Sequence, residues 1–510
     1  MAIKFMFKLI RIFDGVCSSA ILINYLKLAK PEAIITWSNH TPEVKHGIDV
    51  NLIPPETKLL IVPDAGSGEF VIHKELHDKG IDVLILDHHP VSEYSTHAIV
   101  INNQLDDYPN KQLSGAAIVL KFTQYVDKVL GLNYSEEFYD ICSLGLIGDA
   151  MLLNNKETKW IVEKGLSNIK SELFKELIKE NVESGVELTP TVIAFKINPK
   201  INSLIRVGTA EELDGLMKAF LNHQEVTINP RLRREDKSET WARRMTRICN
   251  NTYSRQRKLR DKILEEIEMK IERDKLYENH FIVVEVEGEF EMNMSGYVAM
   301  PIVNKYKRPT IILRRNNDGK LVGSLRGYDP FMTETRDFLN SLQLFDWARG
   351  HQNACGVQLQ PEMRFQLDDK IGEALVDIEL DETHWVDFTM PSASMTESFI
   401  YEMESCSNVF GRGLEQPLYA ITDIEVRAED IQLIGKAQNV LKFNKGNIEY
   451  VQFSADPKLV EIKEAGGTLT LTVVGKTGVN VWLGNKKPQI IIEDVRIESV
   501  NKSSFGGFEF

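Results

Sequence analysis

The chain is poor in cysteine, and what it has is not arranged for bridging or metal binding. Its five cysteines, Cys17, Cys142, Cys249, Cys355 and Cys406, are odd in number, far apart and form no Cys-x-x-Cys pair. That argues against a disulfide framework and against a zinc site. It also lacks any run approaching the roughly 20 apolar residues of a membrane span. The opening MAIKFMFKLIRIF interleaves its charges with apolar residues, and no small-residue cleavage site follows. It reads as a first β-strand of a cytoplasmic protein rather than as a signal peptide. Internal repeats and low-complexity tracts are absent. So is any excess of positive charge: the net charge is −14. Bulk attraction to nucleic acid is therefore excluded as an argument, and only a local excess can make one. One exists at 231–262, where twelve Lys/Arg stand against four Asp/Glu. A solvated helix face explains most such runs; in an acidic chain, a track for a phosphate backbone is the sharper reading.

What is present is an ordinary globular composition, 43% hydrophobic and 26% charged, over 510 residues. Single cores stop growing well before that length, so several domains are expected. Residues 1–205 alternate short apolar runs with helical patterns, the signature of a parallel α/β sheet. Strands are expected at 5–12, 33–37, 59–63, 83–87, 98–101 and 192–196. Helices are expected at 16–29, 69–79, 114–130, 136–146 and 157–168. Residues 206–280 read as a helical connector, with Leu259, Ile263, Ile267 and Ile271 as a core-facing stripe. Residues 281–375 read as a second α/β unit with a hairpin turn at Asn316-Asn317-Asp318-Gly319. Residues 366–400 look acidic and irregular. Within 376–510, after a crossover segment, five β-branched runs suggest a small barrel of the OB-fold type.

Chemistry concentrates at the ends of apolar runs. Val83-Leu84-Ile85-Leu86 ends in Asp87-His88-His89-Pro90. Leu59-Leu60-Ile61-Val62 ends in Pro63-Asp64-Ala65-Gly66-Ser67. Leu144-Gly145-Leu146-Ile147, read here as a third strand end, runs into Gly148-Asp149-Ala150. One such triplet could simply cap a helix. Three carboxylates and a histidine at carboxyl ends of strands, where open α/β sheets bind ligands, point to a divalent-metal cluster. Oxygen and nitrogen ligands without thiolate suit Mn²⁺ or Mg²⁺.

In colinear order these pieces resemble the DHH phosphoesterase family, and within it the RecJ group of bacterial single-strand-specific exonucleases. Asp64, Asp87-His88-His89 and Asp149 match the second, third and fourth motifs, and Leu113-Ser114-Gly115-Ala116-Ala117 looks like the helix start after the third. Segment 197–206, with Asn202 and Arg206, is similar to one near the substrate. Gly323-Ser324-Leu325-Arg326 and Gly350-His351-Gln352-Asn353 resemble the signatures of the companion DHHA1 domain, and residues 473–497 resemble the end of the family's OB-fold. The resemblance implies a DHH parallel-sheet domain (1–205), a long connecting helix (206–280), a DHHA1 domain (281–375), and a crossover segment with an OB-fold β-barrel (376–510). It implies Mn²⁺ or Mg²⁺ held by Asp14, Asp64, His88 and Asp149, with Asp64, His88, His89 and Asp149 as the catalytic set and His89 contacting the scissile phosphate. Asn202, Arg206, Ser324, Arg326, His351 and Asn353 would grip substrate, the arginines as planar forks for phosphate, and His351 would close over the metals. The implied activity is 5′ to 3′ hydrolysis of single-stranded DNA in repair or recombination, by a monomer, with a helicase or a single-strand-binding protein as candidate partner and no membrane.

The first motif departs from the family pattern of His, Asp four residues on, then Asp-Gly. Lys8 stands at the His position, Ile12 at the middle Asp and Ile10 at a further acid; only Asp14 remains. An ammonium has no lone pair and an alkyl group no donor atom, so neither Lys8 nor Ile12 can ligate. One intact and one broken metal site are expected. Either the natural first motif is missing or replaced, the preferred reading, or one metal site has been abandoned. Two further functions stay open: a RecJ-like fold that only binds single strands, favoured by this loss, and a phosphodiesterase of short RNA or cyclic dinucleotides, disfavoured by the C-terminal β region.

Overall fold

The computed structural model describes residues 4–9, 13–39, 48–105, 107–223, 226–228, 238–286, 294–378, 385–435, 440–453, 460, 463, 466–482 and 484–501. Two compact units divide the chain: residues 1–250 with 385–510, and residues 251–384.

The first unit opens with five strands, β1 (Lys4–Leu9), β2 (Ile34–Asn39), β3 (Leu59–Pro63), β4 (Asp82–Asp87) and β5 (Ile99–Asn102). All pair in parallel in the order β2-β1-β3-β4-β5. Beyond β1 the chain fills one side of the sheet, then crosses to the other, so β1 and β3 flank the point where strand order reverses. Loops leaving their carboxyl ends diverge there and leave a crevice. Asp14 follows β1 and Asp64 follows β3.

Four helices complete the scaffold: α1 (Phe13–Ala29), α2 (Phe70–Asp78), α3 (Gly115–Leu130) and α4 (Tyr139–Gly148). Helix α1 is buried on nearly all sides, from Phe13 through Ile23 and at Tyr25, which explains why its sequence lacks an amphipathic period. Helix α4 is equally enclosed, and here the structure corrects the sequence reading. Leu144–Ile147 is not a strand but the last turns of α4, so Asp149 caps a helix rather than ending a strand. A short apolar run buried on all faces carries no period that separates helix from strand. Glycine decides the packing: a Cβ on Gly145 would collide with Asp14 and Ala116, and one on Gly148 with Phe13.

Four other expectations change. Residues 193–197, expected within a strand at 192–196, are helical and run into the helix Asn198–Val207. The connector is not helical throughout, since Val226–Ile228 pairs with Ser238–Thr240 before the 33-residue helix Trp241–Arg273. On that helix Ile263, Ile267 and Ile271 are buried against Ile282, Val284 and Val298, whereas Leu259 is 43% exposed. The first turns of the helix are buried as well, through Ala242, Met245 and Cys249 in the core of the first unit. Finally, the stretch read as irregular contains the end of the helix Pro361–Ala374 and the start of the helix Glu397–Ser405.

The second unit holds a five-stranded sheet in which Leu321–Arg326 pairs with Thr310–Arg315 and Ala354–Leu359. Its hairpin turn forms as expected, with Gly319 at φ +80. In the first unit, residues 388–501 build a seven-stranded sheet, and two of the five expected runs merge into the single strand Thr468–Trp482. This sheet packs on the α/β part: the Leu153 amide donates to the Arg412 carbonyl at 2.7 Å, and Gly411 abuts Leu153 and Pro190. Among the described residues no helix is long and apolar enough to cross a membrane.

Candidate metal centre

Asp14, Asp64, His88 and Asp149 meet at the β1/β3 crevice. Candidate ligand atoms of Asp14, His88 and Asp149 all lie within 4.8 Å of one another, and so do those of Asp64, His88 and His89. His88 Nε2 is 3.3 Å from Asp64 Oδ1 and 3.5 Å from Asp149 Oδ2. Asp14 and Asp64 are 1% and 2% exposed.

Each group is aimed by its local backbone. Asp14 sits in the first turn of α1 and is met by the amino end of α3, where Ser114 Oγ donates to Asp14 Oδ1 at 2.9 Å and the Ala116 amide points at both carboxylate oxygens at 3.3 Å. Asp64 adopts φ +65, a left-handed conformation that Asp tolerates better than most residues. Gly115 leaves it room, since a Cβ there would lie 2.5 Å from Asp64 Oδ1. Asp149 is the cap of α4, and the chain turns away through Ala150 at φ +56, with the Met151 amide bonded to the Leu146 carbonyl. That is a Schellman ending with alanine where glycine is usual.

Asp87 takes a supporting role. It accepts from the amides of Ser67, His88 and His89, and from His89 Nδ1 at 2.8 Å. Burial alone would raise its carboxyl, but the bonds from His89 and Ser67 hold it down at about 2. The same bond from Asp87 lifts His89 to about 9. Asn102, at the end of β5, then closes a ring by donating to Ser67 Oγ and to the His89 carbonyl, both at 2.9 Å.

The centre is electrostatically unsatisfied. Burial first, then repulsion from Asp64 and Asp149, raises Asp14 well above the usual carboxylate range. Burial likewise raises Asp64. Both oxygens of Asp64 and Nε2 of His88 are buried without a hydrogen-bond partner. Buried polar atoms normally find partners. Carboxylate oxygens and an imidazole nitrogen left bare around one point fit a hard divalent cation.

The other expected residues are distributed. Asn202 is half-buried and Arg206 exposed on the helix Asn198–Val207 of the first unit. Ser324, Arg326, His351 and Asn353 gather at one end of the second unit's sheet, with Arg326 and His351 both paired to Ala354. Ser324 Oγ lies 3.0 Å from Ser295 Oγ, and the Arg326 guanidinium lies over Gly296. Asn353 is engaged internally: its amide bonds Asp329, the Met332 carbonyl and Thr335, leaving little for substrate. Ile10, Ile12 and 231–237 lie outside the described residues, and of Lys8 only the strand backbone is described.

Sequence reasoning did not single out Asn102, Ser67, Gly145 or the scaffold role of Asp87. Asn102 had a signal: it ends an apolar run, as Asp64 and Asp87 do. Gly145 had none, because what it avoids is a side chain 131 positions earlier.

The family model for the DHH family N-terminal domain matches residues 13–146, and that for the RecJ OB domain matches 386–494. The SPbeta prophage-derived single-strand DNA-specific exonuclease YorK of Bacillus subtilis is 35% identical over 494 residues, 95% of this chain and 86% of that protein. The single-stranded-DNA-specific exonuclease RecJ of the same organism is 25% identical over 459 residues, 86% of this chain and 54% of that one. The crystal structure of RecJ in complex with Mn²⁺ from Thermus thermophilus shares the fold, with a TM-score of 0.72 at 18% identity, covering 98% of this chain and 70% of that one.

Proposed function

The chain belongs to the RecJ branch of the DHH family, and from that membership we propose that it is a divalent-metal-dependent exonuclease of single-stranded DNA. The observation that carries the reading is the convergence of Asp14, Asp64, His88 and Asp149, with both oxygens of Asp64 and Nε2 of His88 left without a hydrogen-bond partner. These four would hold one Mn²⁺ or Mg²⁺. The bound ion would polarise a phosphoryl oxygen and stabilise charge developing at phosphorus. The residues supply the rest. Asp87, Ser67 and Asn102 hold the His88-His89 turn rigid. The amino end of α3 fixes Asp14. Arg206 in the first unit offers a donor for phosphate, as do Ser324 and Arg326 in the second, and capture of a 5′-terminal phosphate would give 5′ to 3′ polarity.

Strand guidance has two supports. A cleft of about 1100 Å³ in the first unit separates the α/β part from the C-terminal sheet. Its lining includes Ala150, next to Asp149, the aromatic rings of Phe195, Tyr401 and Phe410, and the cations Lys476 and Lys486. Exposed aromatic faces stack on bases regardless of sequence. On the helix Trp241–Arg273, Arg244, Arg247, Arg255, Lys258 and Lys262 recur at helical spacing opposite the buried Cys249, Gln256, Ile263 and Ile267. Arg255 and Lys258 are exposed. Such a row fits a phosphate backbone.

The test is degradation of a 5′-phosphorylated, 3′-labelled single-stranded oligonucleotide with and without Mn²⁺, beside a duplex control. Stepwise loss from the 5′ end that disappears in Asp149→Ala establishes the enzyme. Binding without cleavage would replace it with a strand-binding protein, the reading that Lys8 and Ile12 favour.

A further inference from the structure

We infer that this chain has rebuilt a second metal position from Asp64 and His89, in place of the ligands that Lys8 and Ile12 cannot provide. The inference rests on the reading of the cluster as a metal centre and departs from it in giving His89 a ligating role instead of a phosphate contact.

Four observations carry it. First, Asp64, His88 and His89 form a second group of three whose candidate ligand atoms lie within 4.8 Å of one another, overlapping the first group only through His88. Second, both oxygens of Asp64 are bare, so one can face each ion. The single lone pair of His88 Nε2 serves one ion only. Assigning it to the ion shared with Asp14 and Asp149 leaves the other oxygen of Asp64 and one nitrogen of His89.

Third, which nitrogen is settled by Asp87. It holds His89 Nδ1 at 2.8 Å, so Nε2 is the atom left to coordinate. A ligating histidine usually donates its other ring N–H to a carboxylate in this way, which fixes ring orientation and strengthens the donor. Asp87 itself is bound by the amides of Ser67, His88 and His89 and cannot swing away. Fourth, the His89 side chain is 52% exposed, whereas that of His88 is 10% exposed. An ion held by one carboxylate oxygen and one imidazole at an open rim keeps positions for water or substrate phosphate, a common arrangement where protein ligands are few. The carboxylates of Asp64, Asp87 and Asp149 give that rim a negative field, which favours a cation.

The experiment is Mn²⁺ titration of the full chain by calorimetry, with electron paramagnetic resonance to detect coupling between adjacent ions. It is run on the unmodified chain, His89→Gln, Asp87→Asn and Asp149→Ala. The expected result is two Mn²⁺ per chain with a coupled signal. His89→Gln should bind one uncoupled ion, and a cooperative melt before metal is added shows that it folds. Asp87→Asn should keep both sites with the weaker one loosened about tenfold. A single ion in the unmodified chain, with the same stoichiometry in His89→Gln, overturns the second position and leaves the one-ion centre standing. No bound ion at all overturns both, and Asp149→Ala identifies which site any remaining ion occupies.

Discussion

At the scale of single residues, the metal-free centre is a source of instability. Asp14 and Asp64 have folded-state values raised above those of an unfolded chain, chiefly by burial. A raised value means that the stability tied to the group is present below the unfolded value and is lost as pH rises through the folded one. The metal-free chain should therefore lose stability as pH rises above the ordinary carboxylate range, and Mn²⁺ should restore more at neutral than at mildly acidic pH. Thermal melts with and without Mn²⁺ at both values test this; equal metal increments would contradict it. The same logic predicts that Asp64→Asn, which keeps a side chain suited to φ +65, stabilises the metal-free fold by about 1 kcal/mol while weakening Mn²⁺ binding. The Asp87–His89 pair titrates oppositely at its two ends. Its contribution is lost above about 9 as His89 deprotonates and below about 2 as Asp87 protonates. Ala150→Gly should add about 1 kcal/mol to stability, read from the urea midpoint, by relieving its left-handed backbone.

At the scale of elements, what was legible depended on exposure. Strands β3 and β4 were readable because apolar runs ended abruptly in Asp64 and Asp87. Helix α3 was readable from its apolar period. Helix α4 was legible only in part, and its last turns passed for a strand, because burial on every face erases the period that tells helix from strand. Its two glycines report contacts with Asp14 and Phe13 that no local pattern contains. Gly145→Ala should therefore cost about 1–3 kcal/mol and displace Asp14, seen as weakened Mn²⁺ affinity in calorimetry; unchanged affinity would mean that α4 shifts freely. The basic helix gives an element-scale prediction of its own. Arg255→Glu with Lys258→Glu should lower the salt dependence of single-strand binding by roughly 1.4 in log–log slope, measured by fluorescence anisotropy. An unchanged slope would remove that helix from the strand path.

At the scale of the whole molecule, the C-terminal sheet is part of the first unit and not a detachable module. Gly411 and Gly413 lie against Leu153 and Leu152, and Leu153 bonds Arg412. Deleting residues 385–510 should bare that apolar seam and lower stability by at least about 2 kcal/mol, visible as an earlier urea transition. The sequence by itself determined the α/β class of the first part, the β character of the last, and Asp14, Asp64, His88 and Asp149 as candidate ligands, since donor atoms and the ends of apolar runs are local properties. It also determined that Lys8 and Ile12 cannot ligate. Only the tertiary structure decided that Asp149 arrives on a helix, that Asp87 and Asn102 brace the histidines, and that His89 stands with Asp64 as a possible ligand pair. These depend on contacts between residues far apart in the chain, which packing creates and no local pattern encodes.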